Sequence, residues 1–215
     1  MANSEVDICN LALAHLGKQP IASLTEESVE RRICFRFYDQ ALDELIERSD
    51  WSFAQKIAFL AQRPDADNPY SMRYAHWYDL PNDLVRPVRL LHQPAAEALG
   101  PVEDRTDSAF INYELIGGNL FTNADKARLL YVYELRDPTQ FSPSFTSALA
   151  FLIARYAAIP LTRSDRIAAA VERSSEVMFA RAVAGDAAGE PDTYIRQPGM
   201  LTDRYFDVPG IGEDP

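Results

Sequence analysis

The chain contains 215 residues, of which 47% are hydrophobic and 25% charged, and its formal net charge at pH 7 is −11. This composition is typical of a globular protein with a sizeable core, built as one domain or as one domain with an insertion. The acidic balance argues against tight DNA binding, because a protein that wraps nucleic acid replaces phosphate counterions with basic residues. It does not argue against a surface over which DNA slides.

The sequence predicts neither a membrane span nor a secretion signal. It has no stretch of about 18 consecutive apolar residues, the length a transmembrane helix needs. The first ten residues carry Glu5 and Asp7 and no basic residue, unlike a signal peptide. We therefore expect the protein to be made and kept in a cytoplasm.

Two helices are predicted in the N-terminal part of the chain. Asn3 or Ser4 can cap a helix over about 4–16, which ends before Gly17 and Pro20. Thr25 is predicted to cap a second helix over about 26–49. The apolar stripe of the second helix predicts its core face and consists of Phe35, Tyr38, Leu42, Leu45 and Ile46. Cys9 and Cys34 lie among apolar residues, which predicts two small buried thiols rather than a disulfide.

Residues 57–138 change to β-type patterning. The stretch 56–62 is compatible with a strand or a helix end, 63–71 reads as a loop, and 86–92 reads as a strand. Gly117-Gly118-Asn119 separates two apolar runs and predicts a hairpin. A third strand follows, in which Leu129, Tyr131, Tyr133 and Leu135 would share one face. The three strands would form a small antiparallel meander. The stretch 93–108 is predicted to be a surface excursion, with no role assigned.

Helical patterning returns after residue 138. Ser142 followed by Pro143 predicts the start of a third helix, which Pro160 is expected to end. Ser164 is predicted to cap a fourth helix that reaches about residue 184. The expected core face of the third helix consists of Phe145, Leu149, Leu152, Ile153 and Tyr156, and that of the fourth of Ile167, Ala170, Val171, Ser174, Val177 and Met178.

The last residues, 189–215, have turn residues and no helical or strand period. Prolines at 191, 198 and 209 keep this stretch extended. We call it the C-terminal arm and predict that it leaves the core of its own subunit and packs on a neighbour. Its predicted partner-binding residues are apolar or aromatic: Tyr194, Ile195, Met200, Leu201, Tyr205 and Phe206.

These elements predict an α+β fold. Residues 1–56 and 139–188 would form an antiparallel helical bundle, 57–138 an inserted small antiparallel β subdomain, and 189–215 the extended C-terminal arm. The switch of the hydrophobic period from 3.6 to 2 and back indicates these boundaries.

No catalytic, cofactor or metal motif is found in the sequence. His15, His76 and His92 are far apart, and none has a second ligand at helical spacing. A carboxylate pair for glycoside hydrolysis could be chosen from Glu44, Glu47, Glu114 and Glu134, as from the acids of almost any acidic protein. We predict no enzyme, no cofactor and no metal, and an interaction protein instead.

Four stretches, in order, resemble bacteriophage tail tubular protein A, the head-to-tail adaptor or gatekeeper of short-tailed phages. They are EVDICNLALAHLGKQPIASL (5–24), ERSDWSFA (47–54), IGGNLFTNAD (116–125) with the strand and Arg136-Asp137 after it, and PGMLTDRYFD (198–207). In the family, too, a long helix ends in a short polar step before Trp, a small hydroxyl residue and Phe. The resemblance covers about residues 4–207 but not the 93–108 stretch.

The resemblance implies a structural virion protein of the tail, made in the host cytoplasm. It would form a ring, a dodecamer in the family, between the portal protein and the tail nozzle protein, with fibres or spikes around it. The portal would be the first candidate for the neighbour on which the C-terminal arm packs. Genomic DNA would pass through the channel without tight binding, and no membrane would be involved. Trp51 and Phe53 would form the junction between the two subdomains.

Two other classes of protein remain open at this stage. One is a tail-associated peptidoglycan hydrolase, which needs a cleft with two carboxylates at a fixed separation. The other is a soluble regulatory module of the host, which would be a monomer or dimer. Oligomeric state and loss of turbidity of a cell-wall suspension distinguish the three classes.

Overall fold

The computed structural model describes residues 4–91 and 111–189. In these residues the fold is mixed α and β, with four helices and two antiparallel sheets. The helices are α1 (Glu5–His15), α2 (Val29–Glu47), α3 (Pro143–Thr162) and α4 (Asp165–Gly189). The strands are β1 (Gln55–Phe59), β2 (Ala61–Gln62), β3 (His76–Asp79), β4 (Leu84–Leu91), β5 (Tyr113–Ile116), β6 (Asn119–Thr122) and β7 (Arg128–Tyr133).

The first helix follows its prediction, whereas the second begins later than expected. Ser4 caps α1 in a capping box with Asp7. The predicted Thr25 cap is wrong: Ser28 caps α2 and accepts a hydrogen bond from the backbone N–H of Arg31 at 3.2 Å. The Glu26 carboxylate accepts a hydrogen bond from the backbone N–H of Ala22 at 2.7 Å, so Glu26 belongs to the turn before the helix.

The core face of α2 differs from its prediction at one residue. Phe35 is 48% exposed and wrongly assigned, while the other four predicted residues are buried. The guanidinium of Arg31 lies over the Phe35 ring, 4.8 Å from its centroid, so this aromatic ring is covered by a surface side chain.

Helix α3 continues through Pro160 to Thr162, so the predicted end at the proline is wrong. The hydroxyl of Thr162 donates to the carbonyl of Ala158 at 2.6 Å, which closes the last turn. The helix ends at Arg163, which has a left-handed backbone with φ of 52°. By length and hydropathy alone α3 could cross a membrane, but ten of its twenty residues are buried in the protein core, which accounts for its apolar character.

Helix α4 is longer than predicted and turned relative to its predicted face. Val171, Ser175 and Ala182 are buried, whereas Ala170 and Val177 are exposed. Gly185 near its end lies beside Ser144 at the start of α3, so the two helices run antiparallel.

The strands form two sheets rather than one meander. The β5–β6 hairpin turns at Gly117 and Gly118, both with positive φ, as expected for this turn. Strand β7 does not pair with β6, so the predicted meander is wrong. It lies between β1 and β4, while the other sheet has the order β2-β3-β6-β5.

The turn between β6 and β7 explains why these two strands do not pair. Lys126 has a positive φ of 51°, and the carbonyl of the next residue, Ala127, accepts a hydrogen bond from Leu60 at 3.0 Å. The chain therefore leaves the four-stranded sheet at this turn and enters the three-stranded one. The two sheets share an apolar cluster of Tyr78, Leu90, Leu120, Ala127, Leu129 and Tyr131.

The predicted shared face of the third strand is correct only in part. Leu129 and Tyr131 lie together between the sheets, and Tyr133 contacts both this cluster and the helical core. Leu135 lies beyond the strand and belongs to the helical core, together with Val132. The three-stranded sheet thus packs against the helices through residues near the end of β7.

Candidate functional site

The connection from α2 to β1 is built around a buried tryptophan. Residues Ser52–Ala54 form one 3-10 turn, and Trp51 before it has no exposed surface. The indole N–H donates to the backbone carbonyl of Leu45 at 2.7 Å, so its only polar group is satisfied by the helix it follows. This hydrogen bond holds the ring beneath the last turn of α2.

Three phenylalanines contact this ring, and a fourth, Phe141, packs on two of them. Trp51 contacts Phe145 of α3 edge-on at 4.9 Å between centroids, and Phe179 of α4 at 6.2 Å. Phe53 is 6.0 Å from Trp51 and 5.0 Å from Phe145, and Phe141 lies 4.9 Å from Phe145. We call these five residues the aromatic junction. The next residues, Gln55–Phe59, pair with β7, so the chain passes here from helix to sheet.

Charged groups close the outer side of the aromatic junction. Arg48 pairs with Glu176 at 2.7 Å and lies over the Phe179 ring at 3.9 Å from its centroid. The hydrogen bond from Arg48 lowers the pKa of Glu176. Asp186 accepts hydrogen bonds from the backbone N–H and the hydroxyl of Ser52, both at 2.8 Å. These contacts fasten α4 to the α2–β1 connection.

A pocket of about 380 Å³ lies beside these groups. It is lined by Arg48, Ser49, Asp50, Arg86, Val183, Asp186 and Ala187. Arg86 pairs with Asp50, so the charges in the wall already have partners in the protein. This arrangement is suited to joining elements rather than to binding a charged ligand.

The carboxylates considered for glycoside hydrolysis have separate structural contacts. Glu44 accepts a hydrogen bond from the Tyr156 hydroxyl, Glu114 pairs with Arg73, and Glu134 is 2.8 Å from Arg136. Glu47 is exposed on α2. Each of the first three is held by a different part of the fold, and the structure gives no reason to choose two of them as an acid and a nucleophile.

The described histidines are held by packing or surface contacts. His15 stacks on Phe151 at 3.8 Å, and burial lowers its pKa. The Nδ1 atom of His76 is 3.2 Å from Asp65. His92 lies outside the described residues. Within residues 4–91 and 111–189, no group of three His, Cys, Asp or Glu side chains is placed to hold a metal ion.

Cys9 and Cys34 are buried, free thiols, as predicted. The contact with Cys34 and burial hold the pKa of the Cys9 thiol above its usual range. We expect neither thiol to react with a colourless aromatic disulfide reagent in the native protein and both to react after denaturation, because both sulfur atoms are buried and out of reach of the reagent. Reaction of about two cysteines per chain before unfolding would contradict this burial.

Several large apolar side chains on the β-sheet part are mostly exposed within residues 4–91 and 111–189. Phe59 and Ile57, on one side of β1, are 71% and 57% exposed, and Met72 in the loop before β3 is fully exposed. Neighbouring exposed apolar side chains such as Ile57 and Phe59 are candidates for a contact with another protein, whereas a single exposed one such as Met72 is ordinary. The predicted partner-binding residues Tyr194, Ile195, Met200, Leu201, Tyr205 and Phe206 lie outside the described residues.

Comparisons with protein-family models and with curated proteins give no match for this chain. The geometry therefore carries the functional argument together with the sequence motifs. Sequence reasoning placed Trp51 and Phe53 at the junction but missed Phe179, Arg48 and Asp186. Phe179 is the only aromatic residue of α4. A single large side chain in a helix otherwise rich in small residues was the feature of the sequence that could have indicated its role.

Proposed function

We propose that this protein is the adaptor ring between the portal and the tail nozzle of a short-tailed phage. The observation that carries the proposal is the ERSDWSFA stretch, which resembles the family and forms the aromatic junction where helix passes to sheet. In this proposal the helices form an antiparallel bundle, 57–138 form the β subdomain and 189–215 extend as an arm. The proposed partners are further copies of the chain, the portal, the nozzle, and fibres or spikes.

The exposed side chains of the sheets support an assembly role. Phe59, Ile57 and Met72 are costly to leave in water, at about 25 cal/mol per Å² of apolar surface. A protein whose surface is buried by several partners in the virion retains such residues because they are covered after assembly.

A native mass spectrum of the purified chain, alone and with a candidate portal protein, tests the proposal. We expect a closed ring of a single stoichiometry and a complex of ring and portal. A monomer or dimer that does not bind the portal protein would contradict the adaptor function and would favour a regulatory module. Loss of turbidity of a cell-wall suspension would instead indicate a peptidoglycan hydrolase.

The net charge of −11 leads to a separate prediction about DNA. A channel wall that is acidic or neutral repels phosphates and keeps a passing duplex centred. We expect the protein to be poorly retained on immobilised double-stranded DNA even at low salt. Tight retention that falls steeply with salt would show a basic DNA-binding surface and contradict the proposed channel.

A further inference from the structure

The solvent side of α4 carries arginines among small residues. Arg166, Ala170, Arg173, Val177 and Arg181 are spaced so that they share one side of the helix, and all five are exposed. We call these residues the arginine face. The buried residues of α4 point to the opposite side, so the arginine face looks away from the core. Val177 is 52% exposed at its centre.

The arginines of this face have no ion pair within residues 4–91 and 111–189. Other arginines near α4, such as Arg48 and Arg155, are paired with Glu172 or Glu176. A groove of about 490 Å³ runs along the same side of the helix, lined by Phe151, Ala170, Arg173, Ser174, Val177, Met178 and Arg181. In a chain with a net charge of −11, this surface combines apolar contact with unpaired positive charge.

We propose that the arginine face binds residues 190–215 of an adjacent copy of this chain. This stretch has six acidic and two basic residues, together with the apolar and aromatic residues named above. Its carboxylates complement the arginines, and its aromatic and aliphatic side chains suit the groove beside Val177. Two arginine faces would repel each other, so the arginine face of one subunit does not bind the arginine face of another.

The end of α4 favours an adjacent copy over the same chain. The carbonyl end of a helix carries partial negative charge, and no basic residue stands in the last turn of α4. Glu190 and Asp192 follow at once in the sequence, and the repulsion between their carboxylates and this end disfavours a return of the arm onto its own α4. A stretch of 26 residues spans up to about 85 Å when extended, enough to reach a neighbour.

This contact joins two different surfaces and therefore generates a ring when the rotation closes. The inference rests on the ring of the proposed function and identifies the surface that holds it together. Each subunit would donate its arm to one neighbour and receive the arm of the other, so the number of contacts equals the number of subunits.

Charge reversal in the full chain tests the contact. We expect R173E/R181E to lose the ring peak in native mass spectrometry, and D203R/D207R in the arm to lose it as well. An equal mixture of the two variants should restore rings of alternating subunits, because each variant then meets a complementary partner. R32E/R36E on the exposed side of α2 makes the same change of charge elsewhere and should keep the ring. Unchanged far-UV circular dichroism shows that each variant is folded.

Each outcome decides between the alternatives. A ring that survives R173E/R181E overturns the inference while the adaptor function stands. Recovery in the chain carrying both reversals, without recovery in the mixture, shows that the arm binds its own subunit and overturns the assignment to a neighbour. A wild-type chain that forms no ring at up to high micromolar concentration overturns both this inference and the proposed ring.

Discussion

Ending the chain after Gly189 is expected to abolish attachment to portal-bearing heads while leaving the protein folded. Among residues 4–91 and 111–189 the last buried hydrophobic side chain is Ala182, and the buried side chains of the four helices and two sheets pack on one another within that part of the chain. We therefore expect a nearly normal melting temperature. If the arm binds the portal, the lost residues would supply several anchors at about 1–2 kcal/mol each, which together give micromolar attachment per subunit. A closed ring multiplies this attachment through avidity.

Purified heads mixed with wild-type or shortened protein and sedimented provide the measurement. The matched control is the full-length chain with T193A, Q197A and T202A, which removes polar side chains of the arm and keeps its aromatic ones. The control should attach normally. Two results would contradict a role of the C-terminal arm in attachment. One is a shortened chain that melts many degrees below wild type, and the other is a shortened chain that attaches normally.

The same shortened protein separates two partners of the arm. If the arm binds the portal, as the sequence first suggested, the ring should persist in native mass spectrometry but fail to join heads. If it binds the arginine face of the next copy, the ring itself should be lost. In both cases the shortened chain fails to sediment with heads. Native mass spectrometry distinguishes the two cases, because it shows whether the ring is still formed.

Trp51→Ala is expected to lower the free energy of unfolding by about 3–5 kcal/mol, the range for removing a buried aromatic side chain. The ring has no exposed surface and contacts Phe145 and Phe179, which belong to two different helices. The alanine variant leaves a cavity among them and an unpaired carbonyl at Leu45. Urea unfolding followed by far-UV circular dichroism measures the loss, since tryptophan fluorescence changes with the substitution.

Two further variants make this test specific. Trp51→Phe keeps much of the ring but removes the indole N–H, and we expect a loss of about 1–3 kcal/mol. Phe59→Ala removes an aromatic side chain that is 71% exposed, and its effect should stay within about 0.5 kcal/mol. Equal effects of Trp51→Ala and Phe59→Ala would contradict a central structural role of the junction.

Local patterns along the chain predicted most helices and their caps. Ser4, Ser142 and Ser164 each accept a hydrogen bond from the first turn of a helix, as expected from their position before an apolar period. The Gly117-Gly118 hairpin was predicted for the same reason, because only a few residues have low-energy positive φ. The two errors are in the start of α2, predicted at Thr25, and the end of α3, predicted at Pro160. At helix ends, neighbouring polar residues compete for the same backbone groups.

Sheet order was not determined by local pattern. Strand β7 follows β6 in sequence, and adjacency favoured their pairing. The run Arg128–Tyr133 is apolar on both sides, however, and such a strand is typical of the centre of a sheet covered on two faces. Its partners, β1 and β4, come from about 40–75 residues earlier, and only burial against both the second sheet and the helices selects them.

The sequence by itself determined that the protein is acidic, mixed α and β, and built with large aromatics where α2 ends. The tertiary structure decided what those aromatics contact and which side of α4 is exposed. Trp51 meets Phe179 across more than 120 residues of chain. The arginine face results from a rotation of α4 that keeps Val171 buried, as predicted, but buries Ser175 and exposes Ala170 and Val177. A helical period limits which residues share a side, but the neighbouring helix selects the side that is buried, because packing α4 on α3 depends on the shapes of both.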